Sequence, residues 1–163
     1  MSKFKIMNSD ELKGKLRLSI GFSGDSGSGK TRSALEVAAG IAEARTGKKN
    51  APFVAIDTEG GRLLHYRKMF PQMLYIDFSG QAEDFSPANY IEAIKAVEGS
   101  GVTAGIIDSI SHAHDGVGGY LDLQSVILER LVDEADKRAN GRWTNDPSKF
   151  SDQAWARAKP EVR

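Results

Sequence analysis

A glycine-rich segment at residues 24–31 constrains the fold of this chain more than any other feature. It reads Gly-Asp-Ser-Gly-Ser-Gly-Lys-Thr, which has the spacing GxxxxGK(S/T) of a phosphate-binding loop. The apolar, strand-like run at 16–22 leads directly into it. Strand, loop and helix in this order predict a site for a nucleoside triphosphate. The alternative is a glycine-rich turn followed by a fortuitous Lys-Thr pair.

The chemistry of such a loop assigns a role to each of its residues. Its glycines allow the backbone to curl, so that successive N–H groups and the N-terminus of the following helix point at phosphate oxygens. We expect Lys30 to reach the β- and γ-phosphates and the hydroxyl of Thr31 to bind Mg²⁺. The nucleotide-binding residues are predicted to be Gly24, Asp25, Ser26, Gly27, Ser28, Gly29, Lys30, Thr31 and Arg32.

Apolar strand-like runs alternate with stretches of helical period along the rest of the chain. This alternation predicts an α/β fold with a mainly parallel sheet that is covered by helices. The predicted strands are 16–22, 53–57, 73–77 and 102–108. The predicted helices follow the phosphate loop to about residue 45, begin at the Ser-Pro pair at 86–87, and run from 121 to 137.

Composition excludes several classes of protein. The 163 residues carry 22 Lys and Arg against 22 Asp and Glu, so no overall positive field attracts nucleic acid. There is no cysteine for disulfide or thiol chemistry, and no apolar run approaches the ~18 residues of a membrane span. The N-terminal residues show no apolar segment of the signal-peptide kind. We expect a single domain over 1–163, located in the cytoplasm, without a membrane partner.

The ends of two predicted strands carry carboxylates that indicate chemistry. The strand that finishes Gly-Ile-Ile-Asp places Asp108 where nucleotide-hydrolysing proteins hold Mg²⁺ through water, although an Asp in this position can also simply cap the loop. The strand at 53–57 ends in Asp57, and residues 57–61 read Asp-Thr-Glu-Gly-Gly. In a parallel sheet the carboxyl ends of the strands line the ligand crevice, so Asp57 and Glu59 are expected beside the γ-phosphate. A carboxylate there can orient and deprotonate the attacking water.

Taken together, the motifs at 24–31, 56–60 and 106–109 resemble the ATPase core of the RecA family of strand-exchange recombinases, over roughly residues 16–140. The resemblance implies a RecA-like P-loop fold, a three-layer sandwich, with ATP and Mg²⁺ as cofactors. It makes Glu59 the general base and Lys30 the second catalytic residue, with Thr31 and Asp108 on the metal. An aromatic residue seven positions beyond the glutamate packs on adenine in this family, which here is Tyr66. A core or surface role is the alternative for that ring.

The compact length is similar to that of RecA-type ATPases from bacteriophages, some of which assist single-strand annealing. The resemblance implies a homo-oligomer, as a filament or ring, with single-stranded DNA and phage recombination or replication proteins as further partners. The first DNA-binding loop would be 111–120, yet this segment contains no Lys or Arg. Within it, His112 and His114 are compatible with a metal site or with an ordinary polar loop.

The end of the chain departs from the family pattern, because a fifth strand with a γ-phosphate sensor and a second DNA-binding loop are expected there. We therefore expect a RecA-like domain that lacks its C-terminal strands, with weak hydrolysis because the sensor region is missing. The predicted function is an ATP-binding, Mg²⁺-dependent ATPase in phage-type DNA recombination or annealing. One alternative is a non-enzymatic, nucleotide-gated assembly or packaging component. The other is a small-molecule or nucleotide kinase, which would need an arginine-bearing lid and an acceptor pocket.

Overall fold

A computed structural model describes residues 18–82, 84–138 and 146–158. Its contacts divide the chain into two units, residues 1–30 and residues 31–163. The strands are β1 (Phe53–Asp57), β2 (Met73–Asp77) and β3 (Gly105–Asp108). The α-helices are α1 (Lys30–Thr46), α2 (Phe78–Gln81), α3 (Pro87–Gly99), α4 (His112–Asp115), α5 (Tyr120–Arg138) and α6 (Ser151–Ala158). Two 3₁₀ helices span Arg62–Tyr66 and Pro147–Phe150.

The first unit contains no strand over its described residues, so the prediction of a strand at 16–22 is wrong for 18–22. Residues 16 and 17 lie outside the described residues. The large side chains of this run are exposed: Leu18 by 72%, Ile20 by 50% and Phe22 by 41%. Apolar alternation supplies one face of a strand, but a strand also needs a neighbour for its N–H and C=O groups, and the sequence pattern cannot show that neighbour.

The second unit is built on a parallel three-stranded sheet in the order β2-β1-β3. The predicted strands at 53–57 and 73–77 are confirmed residue for residue. The strand predicted from Val102 begins only at Gly105. In the observed register Gly105 lies beside Val54, and β1 extends just one residue further back, so the residues before Ala104 have no strand beside them.

Both faces of β1 are covered, which explains why all five of its residues are buried. On one face Phe53 and Ala55 pack with residues of α1, including Leu35 and Ala38. On the other face Val54 and Ile56 pack with Phe78, with Tyr90 of α3 and with partly buried residues of that helix. The expectation of an α/β fold with a parallel sheet between helices is confirmed. Full burial of each such side chain contributes roughly 1.5–3 kcal/mol.

The helices follow local signals in the sequence. The Ser86 side chain accepts a hydrogen bond from the N–H of Asn89 at 3.5 Å, and Pro87 occupies the first turn of α3. The helix predicted at 121–137 is confirmed as α5, and the ring of Tyr120 stacks on Trp155 of α6 with 5.9 Å between centroids. Within the described ranges, no helix combines the length and the apolarity that crossing a membrane requires.

Asp57 gives a test of how this fold is held together. Its carboxylate is fully buried and accepts hydrogen bonds from the backbone N–H groups of Glu59 and Leu63, at 2.8 Å each. We expect Asp57→Ala to lower the free energy of unfolding by about 3 kcal/mol, because two N–H groups lose their acceptor. Asp77→Ala removes only the cap of the short helix α2 and should cost about 1 kcal/mol. Urea denaturation of both variants checks this, and equal losses would contradict it.

Candidate nucleotide site

The glycine-rich loop of the first unit, at residues 24–30, has the backbone that its glycines predict. Gly24, Gly27 and Gly29 have φ angles of 152°, 78° and 86°, which residues other than glycine rarely adopt. The ammonium group of Lys30 folds back over the loop and donates to the carbonyl oxygens of Gly24 and Asp25, at 2.6 Å each. A cation is therefore held directly against the turn by loop carbonyls.

In the second unit, all three strands end in an aspartate at the same level of the sheet. Asp57 lies between Asp77 and Asp108 in the register of the two ladders. The three carboxylates nevertheless have different surroundings. Asp77 caps α2 by accepting from the N–H of Gly80 at 2.9 Å.

Asp57 acts as a scaffold for the turn that follows β1. Besides the N–H groups of Glu59 and Leu63, it accepts from the hydroxyl of Tyr75 at 3.1 Å. Burial of the phenol, then its hydrogen bond to Asp57, raises the pKa of Tyr75 to about 12. Both oxygens of Asp57 are occupied by these donors, so its carboxylate organises the turn instead of facing outward with Glu59.

The carboxylate of Asp108 lies beside Thr31 of α1. Its Oδ2 accepts a hydrogen bond from the hydroxyl of Thr31 at 2.8 Å, although the two residues are 77 positions apart in the chain. A hydroxyl beside a carboxylate fits Mg²⁺, which takes few protein ligands and keeps water and phosphate oxygens. No group of three or more His, Cys, Asp or Glu side chains that could hold a metal exists among the described residues.

Glu59 lies beside the same strand end. Its Oε1 accepts from the hydroxyl of Ser109 at 3.3 Å, and Ser109 directly follows Asp108. Its Oε2 pairs with Arg62 at 3.1 Å, and the Glu59 side chain is 29% exposed. Ion pairs at such exposure contribute at most about 1 kcal/mol, so Arg62 holds the carboxylate without locking it in place.

A buried hydroxyl, that of Thr58, joins the two strand ends. Thr58 is 2% exposed, and its Oγ1 lies 2.7 Å from the N and 2.9 Å from the O of Ser109. The Thr58 N–H donates to the carbonyl oxygen of Asp108 at 2.9 Å, and the Asp108–Ser109 peptide is cis. The hydroxyl of Tyr90 also donates to the carbonyl oxygen of Ser109, at 3.2 Å. Burial raises the pKa of Tyr90, and a hydrogen bond with the Thr58 side chain partly offsets this rise.

The sequence gives no signal for Thr58 or Tyr90 as site residues. Thr58 looks like one small polar residue within an Asp-Thr-Glu run, and Tyr90 looks like an apolar position on one face of α3. Only the parallel pairing of β1 with β3 brings Thr58 against Ser109. The periodic spacing of apolar residues within each segment cannot reveal such a contact.

Two further predicted nucleotide contacts have other neighbours in the structure. Tyr66 is partly buried and packs against the apolar cluster on the α1 side of the sheet, which was the alternative to adenine stacking. Arg32 pairs with Glu36 at 2.9 Å on the exposed side of α1. Contacts of either residue with a nucleotide stay predictions.

The segment 111–120 contains α4 and a tight glycine turn. A Cβ at Gly116 would lie 2.6 Å from the carbonyl oxygen of His112, and one at Gly118 would lie 2.7 Å from Cγ of Asp84. These glycines therefore serve close packing within the chain. His112 packs on the ring of Phe85, with 4.8 Å between centroids, and His114 is exposed.

Comparisons of the chain with models of known protein families, with curated proteins and with solved structures gave no match.

Replacing Thr58 tests whether its hydroxyl joins the strand ends. Thr58→Val keeps the shape of the side chain and leaves the N–H of Ser109 without its acceptor, so we expect a loss of about 2 kcal/mol in the free energy of unfolding. Thr58→Ser keeps the hydroxyl and loses one methyl group, which should cost about 1 kcal/mol or less. Urea denaturation distinguishes them, and the role assigned to the hydroxyl fails if valine is the better tolerated residue.

Proposed function

We propose that this protein binds ATP with Mg²⁺ and hydrolyses it, as a P-loop ATPase of the RecA type. The observation that carries the proposal is the 2.8 Å hydrogen bond from Thr31 to Asp108. Thr31 is the last residue of the phosphate-loop motif, and Asp108 is the strand-end carboxylate of the second motif. The two residues that the sequence motifs predict as metal ligands are thus in direct contact.

The binding roles follow from the donors at hand. Bound Mg²⁺–ATP supplies the γ-phosphate and a strong positive charge beside it. The hydroxyl of Thr31 and the carboxylate of Asp108, the latter through water, would hold the cation. Lys30, which directly precedes Thr31, would exchange the carbonyl oxygens of Gly24 and Asp25 for phosphate oxygens.

Glu59 is the candidate general base. A carboxylate at this strand end can orient a water molecule and accept its proton as the water attacks phosphorus. The hydroxyl of Ser109 and the guanidinium of Arg62 hold one oxygen each of that carboxylate. Two such contacts define its direction, and a partly exposed position leaves it accessible to water.

The biological setting of the proposal rests on the resemblance to RecA-type proteins of bacteriophages. It comprises DNA recombination or annealing, a homo-oligomer, single-stranded DNA and phage recombination or replication proteins as partners, and a cytoplasmic location. The net charge is zero, and the segment 111–120 contains no Lys or Arg. Contact with DNA would therefore depend on a local patch, or on many subunits acting together.

Steady-state ATP hydrolysis with Mg²⁺, with and without single-stranded DNA, tests the proposal directly. We expect phosphate release that DNA stimulates and that Lys30→Ala abolishes, because Lys30 binds the transferred phosphate. Arg45→Ala, at the other end of α1, serves as a control for effects on the helix. Nucleotide binding without turnover in either condition would instead favour an assembly or packaging component. Transfer of phosphate to a small acceptor would favour a kinase.

Glu59→Gln tests the general base. The amide keeps the size of the side chain but cannot accept a proton, so turnover should fall by at least about 100-fold while ATP binding is retained. Glu92→Gln, an exposed substitution on α3, is the matched control and should leave turnover unchanged. Binding measured by a fluorescent ATP analogue separates the two steps. Undiminished turnover in Glu59→Gln would remove this residue from the mechanism.

A further inference from the structure

A hydrogen bond connects the candidate site to helix α4. The Oγ1 of Thr58 lies 3.2 Å from Nδ1 of His112, the first residue of that helix. Thr58 is almost fully buried, and His112 is half-buried with its ring on Phe85. Phe85 is itself fixed to the turn beyond α4, since its N–H donates to the carbonyl oxygen of Val117 at 2.8 Å. His112 is thus held in place on two sides.

The hydrogen atoms at Thr58 can be counted. A hydroxyl group donates one hydrogen and accepts at two lone pairs. Thr58 accepts from the N–H of Ser109 at 2.7 Å and can give its only hydrogen to the carbonyl oxygen of Ser109 at 2.9 Å. The contact with His112 is then a hydrogen bond only if Nδ1 carries a hydrogen and donates it to Thr58, because the hydroxyl has no second hydrogen to give. If Nδ1 carries no hydrogen, the Thr58 hydroxyl can donate to the imidazole only by giving up its hydrogen bond to the carbonyl oxygen of Ser109.

The position of Ser109 affects the proposed base. The Ser109 hydroxyl donates to Oε1 of Glu59 at 3.3 Å, while its backbone is held by Thr58. A change in the hydrogen bonding of Thr58 therefore reaches Glu59 through a single intervening residue. Thr31 and the carboxylate of Asp108 would bind the cation. Among the hydrogen bonds of the described residues, neither group is bonded to the Thr58 hydroxyl.

We propose that His112 is a positioning residue of the ATPase site, which donates from Nδ1 to Thr58 and thereby holds Ser109 and Glu59 in the arrangement for attack. The proposal rests on the proposed ATPase function. It assigns to His112 a role in turnover and none in nucleotide affinity, because the bonds of the Thr58 hydroxyl lead through Ser109 to the base, whereas Asp108 is joined to Thr58 only through backbone groups. It also makes α4 the element through which an event on segment 111–120 would change the rate of hydrolysis.

Two substitutions separate the hydrogen bond from packing. His112→Phe keeps an aromatic ring against Phe85 and removes the donor. His112→Asn removes the ring and places an amide N–H close to the position of Nδ1. His114→Phe, on the exposed side of the same helix, is the matched control. We expect kcat to fall about tenfold in His112→Phe with KM for ATP changed less than about twofold, and kcat to recover to within about threefold in His112→Asn.

The kinetic outcomes are distinct. Wild-type kcat in His112→Phe overturns the proposal. An equal loss of kcat in His112→Phe and His112→Asn also overturns it if both remain folded by circular dichroism, because a donor at Nδ1 would then not be the requirement. A rise in KM with unchanged kcat would place His112 in nucleotide binding, which is contrary to the positioning role.

A second measurement does not depend on ATP hydrolysis. The side-chain ¹⁵N shifts of the three histidines identify which ring nitrogen carries hydrogen, and His112→Asn assigns the signal of interest. At about pH 8, where an ordinary imidazole is neutral, we expect hydrogen on Nδ1 of His112 and its loss in Thr58→Val. Hydrogen on Nε2 alone overturns the proposal. A wild-type protein with hydrogen on Nδ1 but without Lys30-dependent hydrolysis would refute the proposed function and the positioning role, while leaving the hydrogen bond itself established.

Discussion

The burial of the Asp57 carboxylate is the constraint on which the site depends. A charge in this position is tolerated only when donors surround it, and the donors are the N–H groups of Glu59 and Leu63 and the hydroxyl of Tyr75. Those two N–H groups can reach one carboxylate only if the chain turns sharply after β1. The turn places Thr58 inward, against Ser109, and leaves Glu59 partly exposed beside it. Burial at one residue thus sets the direction of the next two.

Parallel pairing then decides what the turn meets. Because β1 and β3 end at the same level, Asp57 lies beside Asp108, and the residues that follow each strand come into contact. Thr58 bonds to both Asp108 and Ser109, and Glu59 bonds to the Ser109 side chain. The proposed base and the proposed metal-side carboxylate are held by one small network instead of by two independent loops. A rigid pair of strands holds such groups in position more precisely than a loop does.

The extent to which the sequence predicts this arrangement depends on the kind of signal. Strands β1 and β2 are predicted at their observed bounds, because each is a short, continuous apolar run that closes on an aspartate. The run at 18–22 has an equally clear pattern, yet it forms no strand, because pairing is not encoded in one segment alone. The prediction of Asp108 and Glu59 as candidate site residues follows from their positions at the ends of strands. The burial of Asp57 and the contacts of Thr58 and His112 can be predicted only when the register of the sheet is known, and no local sequence pattern contains that register.

The state of Lys30 bears on how such a loop would acquire affinity for a nucleotide. Its ammonium group is already bonded to two loop carbonyls, so a phosphate gains only the difference between the new bonds and those that it replaces. That difference is favourable, since an ammonium group attracts a charged phosphate oxygen more strongly than a neutral carbonyl oxygen. The existing bonds also keep the lysine over the turn, which reduces the rotamer entropy lost on binding. A glycine loop that holds its own lysine is therefore prepared for an anion, with affinity set by charge more than by new contacts.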